Sequence, residues 1–381
     1  MSTTATGAAA GARSRIVGKE TDSRLAIRPH AVEAYLRTRG FDDAQVMSLR
    51  PIGASTQEGL KAYGYGRPLR VTFTSQGKTH DRVIRTMSPD PYGHERRADR
   101  AAAMVLARDT FASIPQHIHA MDVGAFDAQG NLVCLPEGEP FLVTDFVEGE
   151  LYAHDLREMQ GLSDARPLDL ERAQALAQYL ARLHAEQVEP SRYVRALRDT
   201  LGRGEGVFGL TDAYPSSDRV APPERLMHIE TELVRWRWEL RRRSARARRT
   251  HGDFHPFNLL FRAGVDVSIL DCSRGGAGEP ADDVTCLSVN YLFFALAARD
   301  ELTGPLRTVW DRFWDAYLVA TGDDELLEVV APFFTWRLLV LASPVWYPNV
   351  AADVRDRLLR MAERLLAGER FHPASVDELL R

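Results

Sequence analysis

The stretch HGDFHPFN, residues 251–258, places two histidines, an aspartate and an asparagine directly before an apolar run. In phosphoryl transfer an aspartate accepts the proton of the attacking hydroxyl, and an asparagine five positions later helps to hold the metal ion. Asp253 and Asn258 have this spacing. A polar loop in which His251 and Asp253 act as turn and capping residues explains the same letters without chemistry. The loop alone leaves both interpretations open.

Acidic residues follow the loop at two further places. The run VSILD ends a predicted strand with Asp271, thirteen residues after Asn258. Mg²⁺ takes oxygen ligands and keeps several waters, so one carboxylate, one amide and phosphate oxygens suffice to hold it. GEPADDV (278–284) then opens a long helix with Asp282 and Asp283 in its first turn. Helix capping explains Asp282 without a functional role.

Together, HGDFHPFNLL, ILD and GEPADDV resemble the motifs of the aminoglycoside phosphotransferase/choline kinase-like family, small-molecule kinases with a protein-kinase-like fold. The resemblance implies that Asp253 is the catalytic base and that Asn258 and Asp271 bind Mg²⁺. It also implies that Asp283 ties the catalytic loop together. LARLHA (180–185) is similar to the family's helix before its substrate region.

Patterning along the rest of the chain indicates two lobes. Residues 1–25, rich in Ala, Gly, Ser and Thr, are expected to form a disordered tail. Residues 26–149 combine strand-like runs with one main helix, and residues 150–381 consist mostly of long helical stretches. These patterns and the resemblance predict an α+β, bilobal protein-kinase-like fold, with a small antiparallel-sheet N-lobe that binds nucleotide. The larger helical C-lobe would carry catalysis and acceptor binding.

The predicted elements are short in the first lobe and long in the second. Strands are predicted within 46–73, 79–87 and 131–149, and around NLLF and VSIL. Helices are predicted at 28–41, 93–111, 169–187, 222–248, 283–300, 305–321, 323–342 and 351–367.

A nucleotide-binding lobe needs a phosphate-approaching turn, a cation on a neighbouring strand and an acid that positions the cation. Gly53 and Ser55, in PIGAST, supply the turn, although an ordinary hairpin explains it equally well. Arg85 ends VIR, where kinases usually have lysine. Guanidinium can pair bidentately with phosphate, so arginine can fill this role. Its fork is larger and its charge more diffuse than those of lysine, which leaves two possibilities: altered phosphate geometry or lost catalysis. Asp99 is the favoured partner of Arg85, with Glu95 as the alternative; an unpaired acid would be a solvated surface charge.

The segment FLVTDFVEGE (141–150) resembles the connector between the family's lobes. Asp145, Phe146 and Val147 are the candidates for offering backbone groups to the edge of adenine. An edge strand passing into a turn is the alternative interpretation of the same segment.

The acceptor is not identified by any motif. The glycine-rich segment 201–215 is either a flexible insertion or part of an acceptor pocket. Trp346 and Tyr347, between two prolines, either line a pocket or pack against the core. Acidic residues in 322–330 are followed by a helix that carries Arg337 among aromatic and aliphatic residues, which is not a clear pocket for a polycation.

Composition limits the class of protein. The chain has 381 residues, 45% of them hydrophobic, and a net charge of −5, which argues against nucleic acid as a partner. The three cysteines lack paired or metal-like spacing, which fits the reducing cytoplasm. No apolar run approaches a spanning helix, so no membrane partner is expected. The oligomeric state is left open.

These observations predict an ATP- and Mg²⁺-dependent phosphotransferase that acts on a hydroxyl of a small molecule, such as an aminoglycoside, a sugar, an amino alcohol or another metabolite. A nucleotide-binding pseudokinase or regulatory module is the alternative. Arg85 is the one sequence feature that favours it.

Overall fold

The computed structural model describes residues 27–51, 68–87, 89, 93–110, 118–135, 146–272, 276–299 and 301–381. The chain divides into two compact units, Met1–Val143 and Thr144–Arg381. The predicted disordered tail lies outside the described residues.

The first unit is built on a three-stranded antiparallel sheet in the order β1–β2–β3. Its strands are β1 (Gln45–Pro51), β2 (Leu69–Ser75) and β3 (Lys78–Ile84). The β2–β3 turn contains two residues, Gln76 and Gly77, both with positive φ (50° and 70°). Turns of this kind match the twist of the strands they join, which favours a tight hairpin. The predicted antiparallel sheet is therefore confirmed for the described strands.

One face of this sheet is covered by the first helix, α1 (Pro29–Arg37). Val71 and Phe73 alternate along β2 and point to the same face, where they are buried with Val32 and Leu36 of α1. The helix ends four residues before the end of the predicted range 28–41.

The other described elements of the first unit are one helix and a small hairpin. The helix is α2 (Arg97–Thr110), which begins four residues after the start of the predicted range 93–111. The hairpin pairs β4 (Gly124–Phe126) with β5 (Leu132–Cys134). Strand β4 is not predicted from the sequence, because a three-residue strand has too little periodicity to be recognised.

The second unit is mainly helical. Its α-helices are α3 (Tyr152–Met159), α4 (Pro167–His184), α5 (Pro190–Gly202), α6 (Val207–Asp212), α7 (Pro223–Leu240), α8 (Pro280–Arg299), α9 (Gly304–Thr321), α10 (Leu326–Val329), α11 (Ala331–Ala342), α12 (Ala352–Leu366) and α13 (Val376–Leu379). The predicted helix 222–248 continues beyond α7 only as a 3₁₀ turn, Arg241–Arg246.

Two predictions in this unit need correction. The predicted helix 323–342 is two helices, α10 and α11, because Pro332 lacks a backbone N–H and stands in the first turn of a new helix. The expectation that no segment could span a membrane is also too strong. By length and composition, helix α8 is long and apolar enough to cross a membrane. However, 83% of its most apolar 18-residue stretch is buried inside the protein. Its apolar surface therefore belongs to the core.

A three-stranded antiparallel sheet, in the order β6–β7–β8, lies within the helical unit. Its strands are β6 (Glu150–Leu151), β7 (Leu259–Phe261) and β8 (Val267–Ile269). In the β7–β8 hairpin Leu259 pairs with Ile269, and Leu270 N–H donates to the carbonyl of Asn258 over 2.8 Å. This register brings the residue before β7 and the residues after β8 to the same end of the hairpin.

Candidate active site

Asp283, in the first turn of α8, holds the loop 251–258 through hydrogen bonds. Asp283 Oδ2 accepts from the backbone N–H of His251, and Oδ1 accepts from that of Gly252, each over 2.7 Å. Gly252 has φ of 85°, a left-handed conformation that glycine adopts without strain. The structural role that the resemblance implies for Asp283 has a direct physical basis in these two hydrogen bonds.

Asp283 is itself held by a buried histidine. His184, at the end of α4, donates from Nε2 to Asp283 Oδ2 over 3.1 Å, and its Nδ1 lies 2.7 Å from the hydroxyl of Tyr317. Burial acts to raise the pKa of Asp283, but the hydrogen bond and charge of His184 and the backbone N–H of His251 outweigh it and lower the pKa. Asp283 is thus an ionised anchor beneath the loop.

The ring of His251 forms hydrogen bonds within the loop and to the residue after β8. Its Nε2 donates to the carbonyl of Leu270 over 2.8 Å, and its Nδ1 accepts from the backbone N–H of Asp253 over 3.2 Å. Phe254 is fully buried and stacks on Tyr179, with ring centroids 5.6 Å apart. The loop is therefore fastened at its first and fourth residues, and Asp253 lies between the two anchors.

The carboxylate of Asp253 is partly exposed and accepts a hydrogen bond from a buried arginine. Arg337 of α11 donates from Nη1 to Asp253 Oδ1 over 3.0 Å, and from Nη2 to Asp282 Oδ1 over 2.7 Å. The other oxygen, Asp253 Oδ2, lies 3.5 Å from His255 Nε2. The candidate catalytic base is thus one of two carboxylates joined by a single guanidinium.

The two predicted Mg²⁺ ligands fit the ion in donor type. Asn258 donates from its amide nitrogen to the carbonyl of Asp253 over 3.0 Å, which directs its amide oxygen away from that bond. Asp271 is exposed two residues after the end of β8, at the same end of the hairpin, and has φ of 51°. One amide and one carboxylate are hard oxygen donors that suit a partly hydrated Mg²⁺. No cluster of three or more His, Cys, Asp or Glu side chains that could hold a metal is found among the described residues.

Three residues of this network were not assigned a role from the sequence. From the sequence, Arg337 only weighs against a pocket for a polycation, and helix capping explains Asp282. His184 only forms part of a segment that is similar to a helix of the family. One signal pointed to Arg337: it is the single charge in α11, APFFTWRLLVLA. A charge within an apolar helix implies a carboxylate partner.

In the first unit, Arg85 follows the last residue of β3 and is exposed. Asp99 lies in the first turn of α2, where its carboxylate accepts from the backbone N–H of Arg96 over 2.7 Å. The pairing of Arg85 with Asp99 or Glu95 stays a prediction.

The other candidate nucleotide contacts are only partly described. Gly53, Ser55 and Asp145 lie outside the described residues. Phe146 is 89% exposed, and Val147 is half-buried.

A cavity lies beside the loop 251–258 within the second unit. Gly252 and Asp282 contribute to its lining, together with Arg203, Glu205 and Gly206 of the glycine-rich segment. The segment 201–215 also contains helix α6, so much of it is regular structure.

The two aromatics between prolines take different positions. Tyr347 packs on Phe293, with ring centroids 5.0 Å apart. The pKa of Tyr347 is raised, mainly by burial and also by the nearby Cys286 and Asp253. Trp346 is 64% exposed.

Comparison with known proteins gives one family match. The model of the phosphotransferase enzyme family (APH) matches residues 69–329, more than half of the chain. Direct comparison with curated proteins returns no match.

Solved structures with detectable similarity are distant relatives. The macrolide 2'-phosphotransferase MphH from Brachybacterium faecium has 16% identity and a TM-score of 0.30, and the match covers 86% of this chain and 98% of that chain. Plasmodium vivax ethanolamine kinase has 12% identity and a TM-score of 0.33, with 96% and 89% covered. The choline kinase LicA from Streptococcus pneumoniae has 10% identity and a TM-score of 0.31, with 88% and 99% covered. At these scores the structures carry no information about the acceptor.

Proposed function

The chain belongs to the phosphotransferase enzyme family, with a bilobal α+β fold of protein-kinase-like type, and we propose on that premise that it is a small-molecule kinase. The reaction is transfer of the γ-phosphate of ATP, with Mg²⁺, to a hydroxyl group. The acceptor is an aminoglycoside, a sugar, an amino alcohol or another metabolite. The absence of paired or metal-like cysteine spacing supports a cytoplasmic enzyme.

One observation carries this proposal: Asp253, suited to proton acceptance, and Asn258, suited to metal binding, belong to one loop whose backbone is held by hydrogen bonds. Asp283 holds the N–H groups of His251 and Gly252, and Asn258 bonds to the carbonyl of Asp253. These hydrogen bonds hold Asp253 and Asn258 in the absence of any ligand. Phosphoryl transfer depends mostly on such positioning and on electrostatic stabilisation.

In the proposed step the acceptor oxygen forms a bond to the γ-phosphorus, and the bond from that phosphorus to the bridging oxygen of ADP breaks. The hydroxyl proton moves to the carboxylate of Asp253, and ADP leaves with the bonding electrons. Asp253 is suited to this task because it is partly exposed while its backbone is fixed from both sides.

Asn258 and Asp271 would hold the metal ion. Bound Mg²⁺ would neutralise negative charge on the phosphate oxygens. The register of the β7–β8 hairpin brings both residues to one end of it, and Asp271 has a left-handed backbone conformation.

In the first unit, Arg85 is proposed as the cation for the α- and β-phosphates, paired with Asp99 or Glu95. Gly53 and Ser55 are proposed for the phosphate-approaching turn. Asp145, Phe146 and Val147 are proposed for the adenine edge. The support for these roles is their position in the sequence relative to the family motifs and, for Arg85, its exposed position at the end of β3.

The cavity beside Gly252 is the proposed region of acceptor binding. Arg203, Glu205 and Gly206 line it, as the acceptor-pocket interpretation of segment 201–215 expects, but its volume of about 30 Å³ has room for only part of an acceptor. Catalytic loop and cavity share Gly252, so an acceptor held there lies next to the proposed base.

A pseudokinase is the second candidate, and only the arginine at position 85 favours it. The retained Asp253, Asn258 and Asp271 argue against it, because a protein that only binds nucleotide has no need for a proton acceptor.

The test is phosphate transfer from γ-labelled ATP, with Mg²⁺, to a panel of hydroxyl compounds and to water. We expect turnover on at least one acceptor, and its loss by about a hundredfold or more in Asp253→Asn with nearly unchanged ATP binding. Asp315→Asn, an exposed carboxylate on α9, is the matched control and should keep full activity. Tight ATP binding with no transfer and no hydrolysis in the wild type would establish the pseudokinase.

A further inference from the structure

Helix α7 carries apolar side chains on both of its faces. Leu226, Ile229 and Leu233 are buried in the core of the second unit. On the outer face, Met227 is 63% exposed and Trp238 is 58% exposed. Single exposed apolar residues are common on protein surfaces, whereas a contiguous set of them indicates an interaction site. The outer face of α7 therefore needs an explanation that the core does not give.

Residues of the outer face follow a regular spacing. At intervals of three, four, three, four and three positions stand Glu224, Met227, Thr231, Val234, Trp238 and Arg241. Arg241 follows the last residue of α7 and has helical backbone angles (φ −56°, ψ −25°), so it continues the same face. These six residues form the α7 stripe. The alternation of three and four is the heptad spacing with which two helices pack side by side.

The α7 stripe is complementary to itself. Its intervals are the same in both directions along the helix, and its two ends carry opposite charges, on Glu224 and Arg241. When two copies of the helix lie antiparallel about a twofold axis, Glu224 of each copy stands opposite Arg241 of the other. Met227 then stands opposite Trp238, and the two middle residues of the stripe meet at the axis. A parallel arrangement would instead place like charges together.

The charges at the two ends are available for such contacts. Within the described part of the chain, neither Glu224 nor Arg241 forms an ion pair. Arg241 lies over the ring of Trp238, with Cζ 4.5 Å from the centroid, and Cζ of Arg237 lies 5.4 Å from it. The pKa of Arg237 is lowered, first by burial and then by the charges of Arg241 and Arg198. An incoming carboxylate would relieve this repulsion between cations.

We propose that the α7 stripe is a dimerisation surface, on which α7 of a second copy of this chain packs antiparallel in a twofold-symmetric homodimer. This inference goes beyond the proposed phosphotransfer and does not depend on it. A helix of 18 residues is about 27 Å long, so one pair of helices makes a contact at the low end of specific interfaces. We therefore expect a weak dimer, with a Kd on the order of 10 μM.

Stabilisation of the single helix is the competing explanation. An acid in the first turn, such as Glu224, and a base after the last turn, such as Arg241, both interact favourably with the helix dipole. This explanation accounts for the charges but not for Met227, Val234 and Trp238 in the same line. It also makes each charge act within its own chain, so that mixing two defective variants cannot repair either of them.

The first experiment is sedimentation velocity of the full chain. Over concentrations of about 1–500 μM, we expect the mass of the wild type to rise from that of one chain toward that of two. Glu224→Arg and Arg241→Glu should each raise the Kd by about tenfold or more, because each places like charges at both ends of the interface. Asp315→Arg, on the exposed face of α9, makes the same change of charge as Glu224→Arg and should dimerise as wild type does.

The second experiment mixes the two single variants in equal amounts. The mixture should form a heterodimer with a Kd within about threefold of the wild-type value, because an arginine then stands opposite a glutamate at each end. Circular dichroism checks that each variant is folded. Trp238→Ala truncates an exposed side chain and should also raise the Kd by about tenfold, which keeps the inference testable if a charge reversal does not fold.

A wild type that stays monomeric at the highest concentration would overturn the inference. A dimer that the single variants leave unchanged, or that their mixture does not restore, would also overturn it, because another surface would then form the interface. Vesicles of phosphatidylglycerol and phosphatidylcholine test an anionic lipid surface as the alternative partner. Vesicle binding that Glu224→Arg strengthens and Arg241→Glu weakens, in a chain that does not dimerise, would assign the α7 stripe to lipid instead.

Discussion

The carboxylate of Asp283 accepts a hydrogen bond from Nε2 of His184 over 3.1 Å, and both side chains are buried, at 0% and 5% exposure. The two residues are 99 positions apart in the chain. Because Asp283 also holds two backbone N–H groups of the catalytic loop, this pair connects helices α4 and α8 to the position of the candidate base.

We expect Asp283→Asn to lower the free energy of unfolding by about 2–5 kcal/mol. An asparagine offers a single oxygen, so at least one buried N–H among those of His251, Gly252 and His184 loses its acceptor. Urea unfolding followed by circular dichroism measures the effect. Asp315→Asn on the exposed face of α9 should change stability by less than about 0.5 kcal/mol. A loss in Asp283→Asn no larger than that in the control would show that the anchor is unimportant.

The contribution of Asp283 should depend on pH in a defined direction. Its pKa is lower in the folded protein than the ordinary value of 3.8. The unfolded chain therefore binds the proton first as pH falls, so the stabilisation is complete at neutral pH and is lost on acidification below about pH 4. The difference in unfolding free energy between wild type and Asp283→Asn should shrink as pH falls from 6 to 3. A difference that grows over this range would contradict the depressed pKa.

Asp271→Asn should weaken binding of Mg·ATP by about tenfold or more, because the carboxylate is the anionic protein ligand proposed for the ion. The variant should bind metal-free ATP, measured in EDTA, as wild type does. Titration calorimetry with and without Mg²⁺ gives both values. Asp266→Asn, which removes a surface carboxylate paired with Arg262 in the same hairpin, is the control. Unchanged Mg·ATP affinity in Asp271→Asn would remove this residue from the metal site.

Arg85→Ala should lower kcat/KM by about tenfold to a thousandfold, the range for removal of one charge-stabilising donor. Arg85→Lys should keep part of the activity, because an ammonium restores the charge without the bidentate fork. Steady-state kinetics with varied ATP measure both variants. Arg70→Ala, in the same sheet, removes an exposed arginine paired with Asp81 and should be nearly silent. If Arg85→Ala is as silent as the control in an active enzyme, another group holds the phosphates.

Much of the candidate site could be predicted from the sequence because its parts are local. Asp253 and Asn258 share one loop, and Asp271 follows the next strand, so spacing and one short hairpin bring them together. Most of the long helices of the second unit were predicted from apolar periodicity, which can be recognised without knowledge of their neighbours. Helices α3, α5, α6 and α13 were not predicted. The three-residue strand β4 and the break at Pro332 were missed because short elements and single residues carry little periodic signal.

By itself, the sequence indicated the family and predicted the class of the site: an aspartate as proton acceptor, an amide and a carboxylate at spacings typical of phosphoryl transfer. It also determined the division into a sheet-containing part and a helical part. Only the tertiary structure decided what surrounds the base. Arg337 lies 84 positions from Asp253, and His184 lies 99 positions from Asp283. Helix packing, rather than spacing along the chain, selects these pairs, because a buried charge has to meet its partner wherever the folded core brings one within hydrogen-bonding distance.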